Sequence, residues 1–337
     1  MTRRVILLVA IALATLGAGA RQTTSSTSPS TTAPKDIPFH VTHDVKYGAA
    51  GGQDLLLDTY VPDDTNAERV SVVLLHGGAW RTGDKRDVVE VATRMARRGW
   101  VVFAVNYRLD VPEAFPAEID DVRLAVEWAR RNADDYRLDP GRMGALGMSA
   151  GGHLAALLAT LGEGPPDRGA RILVGVSWSG PMDLSALATG DVAALARLLL
   201  PCAPAECPER WADASPITHV DPTDAPLLLV NSADELVPLD QARAMADRLQ
   251  AAGVEHQLLV VPGHAHGRDL LDEAWPATVA FLDEHLTRPT NLRQPNPGAI
   301  WMLLIVIGIV VVGGTIGGLR VRRRLNAAAA AAPAGET

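Results

Sequence analysis

The chain has 337 residues, with 31 basic and 39 acidic side chains and a net charge of −8. That balance leaves no basic stripe to follow a phosphate backbone, which argues against nucleic acid as a partner. The chain has no P-loop and no dinucleotide fingerprint after its first strand, and its two cysteines offer too few ligands for a metal. No metal or organic cofactor is implied.

Thr2-Arg3-Arg4 is a basic start, and Val5 to Ala20 is apolar and ends in Ala18-Gly19-Ala20. Residues 1–20 therefore read as a secretory signal peptide with a small-residue cleavage site, or as an N-terminal anchor where uncleaved. Residues 21–38 are rich in Ser, Thr and Pro. Such a stretch cannot bury a core and reads as a disordered stalk.

Residues 39–287 alternate strand and helix patterns. Phe39–Tyr47 and Leu55–Val61 read as two early antiparallel strands. Val70–Leu75 is a continuous apolar run, as in a strand buried on both faces. Asp84–Arg98 reads as a helix and Trp100–Val105 as a second buried strand. Pro116–Asn132 is amphipathic and opens with proline, a residue suited to a helix start. Arg142–Leu146 reads as a short strand leading into Gly147-Met148-Ser149-Ala150-Gly151, with helix formers after it. Ile172–Ser177, Pro226–Asn231 and His256–Val261 complete eight strands, with helices over Leu239–Ala252 and Asp269–Leu286. Repeated β-α units predict an α/β domain, a mostly parallel eight-stranded sheet with helices on both faces.

Residues 180–221 interrupt this pattern with dense prolines and both cysteines, Cys202 and Cys207. They read as a small cap insertion of short helices that shapes the substrate pocket. In an exported domain the two cysteines are expected to pair, a staple on one loop that contributes roughly 2 kcal/mol.

Residues 288–298 read as a linker. Ala299 to Leu319 is 21 residues without a charge, long enough to cross a hydrocarbon core of roughly 30 Å. Arg320 and Arg322 to Arg324 follow, which marks residues 320–337 as a cytoplasmic tail. The expectation is a single-pass cell-membrane protein whose domain lies outside the cytoplasm. Its oligomeric state is not readable.

Gly147–Gly151 is a G-x-S-x-G pentapeptide between a strand and a helix, the context of a nucleophile elbow, which makes Ser149 the candidate nucleophile. A serine hydroxyl needs a histidine base oriented by a carboxylate. In this architecture the order is Ser, then Asp or Glu, then His. Asp234-Glu235 follows the strand Pro226–Asn231, and His264-Ala265-His266-Gly267 follows the last strand. Asp234 is the expected orienting acid, with the adjacent Glu235 as competitor, and either histidine suits as base. An oxyanion needs fixed N–H donors. His76-Gly77-Gly78-Ala79-Trp80 ends the strand Val70–Leu75, so Gly78, Ala79 and Ala150 are candidate donors and Gly77 shapes the loop. Trp80 and Trp178 lie near strand ends and are candidates for lining the substrate pocket, with core packing as the alternative. His76 and His153 read as structural.

These motifs occur in order with Asn106-Tyr107-Arg108-Leu109, Phe115-Pro116-Ala117, Asp120-Asp121, Asp139-Pro140, Gly152-His153 and Ala214-Ser215-Pro216. Across residues 39–287 the chain resembles the α/β-hydrolase superfamily, in its hormone-sensitive-lipase-like and acetyl-esterase-like (carbohydrate-esterase-like) branch. The resemblance implies the α/β-hydrolase fold and assigns the base to His266, directly before Gly267. It implies cleavage of small carboxylic esters, short-chain acyl or acetyl, through an acyl-enzyme. Kynurenine formamidases carry a similar HGGxW loop, so an amide or peptide hydrolase is one alternative. A non-catalytic surface module on the same scaffold is another.

Overall fold

The computed structural model describes residues 36–63, 69–109, 115–187 and 191–287. The expected signal peptide, most of the stalk, the linker, the apolar segment 299–319 and the tail lie outside these residues. No helix among the described residues is long and apolar enough to cross a membrane.

Eight strands form one sheet: β1 Phe39–Ala50, β2 Gln53–Pro62, β3 Arg69–Leu75, β4 Val101–Val105, β5 Leu138–Met148, β6 Val174–Trp178, β7 Leu227–Ser232 and β8 His256–Val261. Their order is β1-β2-β4-β3-β5-β6-β7-β8. The β1–β2 and β2–β4 pairs are antiparallel and the other five pairs are parallel. The mostly parallel eight-stranded sheet is thus as the strand pattern predicts, and the α/β-hydrolase fold is as the family resemblance implies. β5 begins four residues earlier than Arg142. Its first residue pairs Leu138 with Arg69, and a register irregularity separates this pairing from the regular ladder that starts at Met143. Pro140 sits in the irregular stretch, where a residue without an N–H is tolerated.

The helices of the described residues are α1 Val89–Arg97, α2 Ala117–Arg131, α3 Ala133–Tyr136, α4 Ala150–Thr160, α5 Asp191–Leu199, α6 Pro208–Asp213, α7 Pro216–His219, α8 Leu239–Ala252 and α9 Leu271–Thr287. They cover both faces of the sheet. One apolar layer packs α2, α4 and α8 against residues such as Val73, Phe103 and Ala145. The other packs α1 and α9 against Val72, Leu74, Leu146 and Trp178. The central strand β4 is buried along its whole length, which explains its uninterrupted Val-Val-Phe-Ala-Val. The cap insertion is welded into the first layer: Met182, Leu184, Trp211, Ala214 and Val220 are all core residues. Cys202 and Cys207 form a disulfide, and the Trp211 indole N–H donates to the Cys202 carbonyl at 2.9 Å.

β3 lies between β4 and β5, and the connections that leave β3 and β5 run in opposite directions across the sheet, to β4 and to β6. In open α/β sheets the crevice at such a reversal, beyond the carboxyl ends of the strands, is where ligands bind. The ends of β3 and β5 meet there, with Leu75 in register with Gly147.

Candidate active site

Ser149 sits between the last residue of β5 and the first of α4 with φ 53° and ψ −118°. A non-glycine residue at positive φ is uncommon, and four of the six among the described residues stand at this crevice: Ala79, Trp80, Ser149 and Ser179. Strain of this kind persists only where the surroundings over-determine it. Here the Ser149 N–H donates to the Trp178 carbonyl at 2.8 Å, and the Ser149 carbonyl accepts from the His153 N–H at 3.0 Å. Gly151 permits the close approach of helix to sheet, because a Cβ there would collide with the carbonyls of Leu75 and His76.

His266 lies in the loop between β8 and a 3-10 turn over Gly267–Leu270. Its Nε2 is 2.9 Å from the Ser149 hydroxyl. Its Nδ1 is hydrogen-bonded to Glu235 Oε2. The Glu235 carboxylate is fully buried, and its Oε1 accepts from the Ser232 N–H at 2.7 Å and the Ser179 hydroxyl at 3.0 Å. With Glu235 on Nδ1, the neutral ring carries its proton there and presents a bare Nε2 to the serine.

The expectation for Asp234 is corrected by this geometry. Its side chain is 85% exposed and pairs with the exposed His264 at 3.2 Å. The turn after β7 points consecutive side chains in opposite directions, so only the second of the two acids faces inward. His264 is thereby occupied at the surface and stands apart from Ser149. The sequence offered two adjacent carboxylates, and no property of the turn residues themselves ranks them.

The loop after β3 runs beside Ser149. Gly77, Gly78 and Ala79 line a cavity of about 610 Å³ together with Ser149 and His266. Gly78 has φ 116°, and its carbonyl accepts from the N–H groups of Arg81 and Thr82 at 3.1 and 3.0 Å. Ala150 is the first residue of α4, so its N–H is among those with no partner inside the helix. His76 is fully buried, stacks on Tyr107 at 4.5 Å and donates from Nδ1 to the Gly77 carbonyl at 2.7 Å. Burial lowers its pKa, keeping it neutral.

Neither tryptophan lines the cavity, contrary to the pocket-lining expectation. Trp80 is buried, with its indole N–H donating to His153 Nδ1 at 3.2 Å. His153 Nε2–H in turn donates to the Ala214 carbonyl at 2.6 Å. Burial pushes the His153 pKa down to about 4, which keeps the neutral form that can both accept and donate. This chain ties the loop after β3, helix α4 and the cap together. Trp178 points to the opposite face, where its indole N–H donates to the Thr278 hydroxyl of α9 at 3.0 Å. The cavity wall is instead supplied by Val88, Met148, Leu195 and Leu236, with Asp87, Arg268 and Asp269 among its polar residues. Leu195 lies in the cap and Leu236 directly after Glu235. Their contribution depends on loop paths that hydropathy does not report. Among the described residues no group of side chains suits a metal ion.

Residues 57–249 match the BD-FAE family model. Among curated proteins, esterase LipC of Mycobacterium tuberculosis is 33% identical over 68% of this chain and 60% of its own length. The probable carboxylic ester hydrolase LipM of the same organism is 29% identical over 74% of this chain and 62% of its own. The chain thus spans about 60% of the length of these relatives. A solved truncated form of a carbohydrate esterase from gut microbiota superposes with a TM-score of 0.66, at 24% identity, over 76% of this chain and 99% of that one, a likeness of fold.

Proposed function

The chain belongs to the BD-FAE family of α/β-hydrolases, and on that footing we propose that it is a serine hydrolase of carboxylic esters working through Ser149, His266 and Glu235. The observation that carries the reading is the continuous hydrogen-bonded line from the Ser149 hydroxyl through His266 to the buried Glu235 carboxylate. Relatives named as esterases support the ester bond as the target.

In the reaction, Ser149 Oγ attacks the ester carbonyl carbon while His266 Nε2 takes the hydroxyl proton. Glu235 stabilises the imidazolium and fixes its tautomer. The negative charge passing to the carbonyl oxygen is met by N–H groups of Gly78, Ala79 and Ala150, with Gly77 keeping the loop close. Collapse of the tetrahedral intermediate breaks the ester C–O bond. The leaving alkoxide takes the proton from His266 and departs as the alcohol. Water then attacks the acyl-Ser149 carbonyl, giving its proton to His266, and the acid leaves as Ser149 recovers its proton. The cavity of about 610 Å³, with Val88, Leu195 and Leu236 in its wall, suits a short acyl or acetyl ester.

Ser149→Ala is expected to abolish turnover of p-nitrophenyl acetate and labelling by a fluorophosphonate, with an unchanged melting temperature. Retained turnover would sink the reading. Turnover of an aminoacyl amide above that of the acetyl ester would move the assignment to amide hydrolysis. The apolar segment 299–319 and the basic residues after it support a membrane-tethered, extracytoplasmic form. Protease accessibility of the domain in intact cells tests that placement.

A further inference from the structure

We infer that Ser179 is a positioning residue for the triad, an inference that rests on the serine-hydrolase reading above. Ser179 follows β6, is fully buried and has φ 55°. Its hydroxyl donates to Glu235 Oε1 at 3.0 Å and accepts from the Gly267 N–H at 2.9 Å. One oxygen therefore touches both the acid that grips His266 and the peptide that follows His266. Its own N–H donates to the Val230 carbonyl of β7 at 2.8 Å, and the carbonyl of the preceding Trp178 holds the Ser149 N–H. The Trp178–Ser179 corner is thus bonded to the nucleophile directly, to the acid directly and to the base through its neighbour.

Removing the hydroxyl leaves the Gly267 N–H without its acceptor and leaves Glu235 Oε1 with the Ser232 N–H as its other protein donor. The carboxylate gains rotational freedom and the His266 loop loses its tie to it. The expected cost falls on the chemical step, because proton transfer between Ser149 and His266 depends on the angle at which the ring is held. Substrate binding in the cavity is untouched, since Ser179 does not line it.

The backbone supplies a clean variant. At φ 55° glycine is more comfortable than serine, so Ser179→Gly deletes the hydroxyl while relieving strain. A merely structural role predicts an unchanged kcat. Positioning predicts a kcat lowered about 10- to 100-fold with KM within about twofold, the range for one hydrogen bond to a charged group. Ser179→Ala is the second variant, and both are melted to verify folding. In a Glu235→Ala background the Ser179→Gly change is expected to cost less than about twofold, since the partner is already gone. A wild-type kcat in Ser179→Gly, or an undiminished loss in the Glu235→Ala background, overturns the inference while leaving the Ser149 result standing. Full activity in Ser149→Ala removes the reading beneath it instead.

Discussion

On one side of Ser149 the His76–Trp80 loop is held by its own backbone, with three consecutive residues, Gly78, Ala79 and Trp80, at positive φ and a buried indole–imidazole chain behind them. On the other side Glu235 is held by hydrogen bonds from the Ser179 hydroxyl and the Ser232 N–H, and His266 by Glu235. The first wall is a shape and the second is a set of donors and acceptors. A change in the first therefore disturbs folding and activity together, whereas a change in the second removes activity from an intact domain.

The largest expected effect is on the second wall. Glu235→Ala is predicted to lower kcat about 10³- to 10⁴-fold, as loss of the orienting acid does in other triads, with an unchanged melting temperature. Asp234→Ala, one residue away and exposed, is predicted to stay within about twofold of wild type. Steady-state kinetics on an acetyl ester checks both. A reversal of the two results would return the acid to Asp234 and erase the contrast between the walls.

Gly78→Ala probes the first wall. A Cβ there would overlap the Thr82 carbonyl, and the backbone sits at φ 116°. Thermal melting is expected to show a loss of roughly 4 °C, alongside a fall of about tenfold or more in kcat. An intact melting temperature with lost activity would mean that this loop, too, is specified by its donors alone.

The smallest effect concerns Glu118 on α2, a buried carboxyl whose two oxygens have no hydrogen-bond partner and whose pKa burial raises from 4.5 to about 7. A folded-state pKa above the unfolded one means that this group's contribution is full below about pH 4.5 and is lost as pH rises through 7. Glu118→Gln is expected to narrow the gap between melting temperatures at pH 5 and pH 8 by roughly 4 °C, with kcat unchanged. This separates a stability term from both walls; an unaltered gap refutes it.

Much of the site is written in chain order. The glycine loop after Val70–Leu75, Ser149 between strand and helix, and acid before histidine all follow strands of the parallel part of the sheet, whose carboxyl ends share one side. What the order leaves open is the direction of single side chains. Asp234 and Glu235 differ by one position in a turn, and the turn's path alone sends one inward. Trp178 ends a strand whose residues alternate faces, so proximity to the site along the chain placed its backbone at Ser149 and its ring against α9. Ser179 carries no motif, and its role lies in contacts with residues 56 and 88 positions away.

The burial of the cap has a kinetic consequence. Trp211, Ala214 and Val220 belong to the main core, and the Ser215 hydroxyl accepts from the Leu184 N–H and donates to the Trp211 carbonyl. This half of the insertion has no hinge on which to lift, since raising it would expose core side chains to water. A substrate that reaches the crevice therefore meets a cap whose core-seated half is already in place, with Leu195 of α5 as its residue in the cavity wall. Acylation of Ser149 in a rapid-mixing experiment should then rise in one phase, proportional to ester concentration, without a preceding slow opening step.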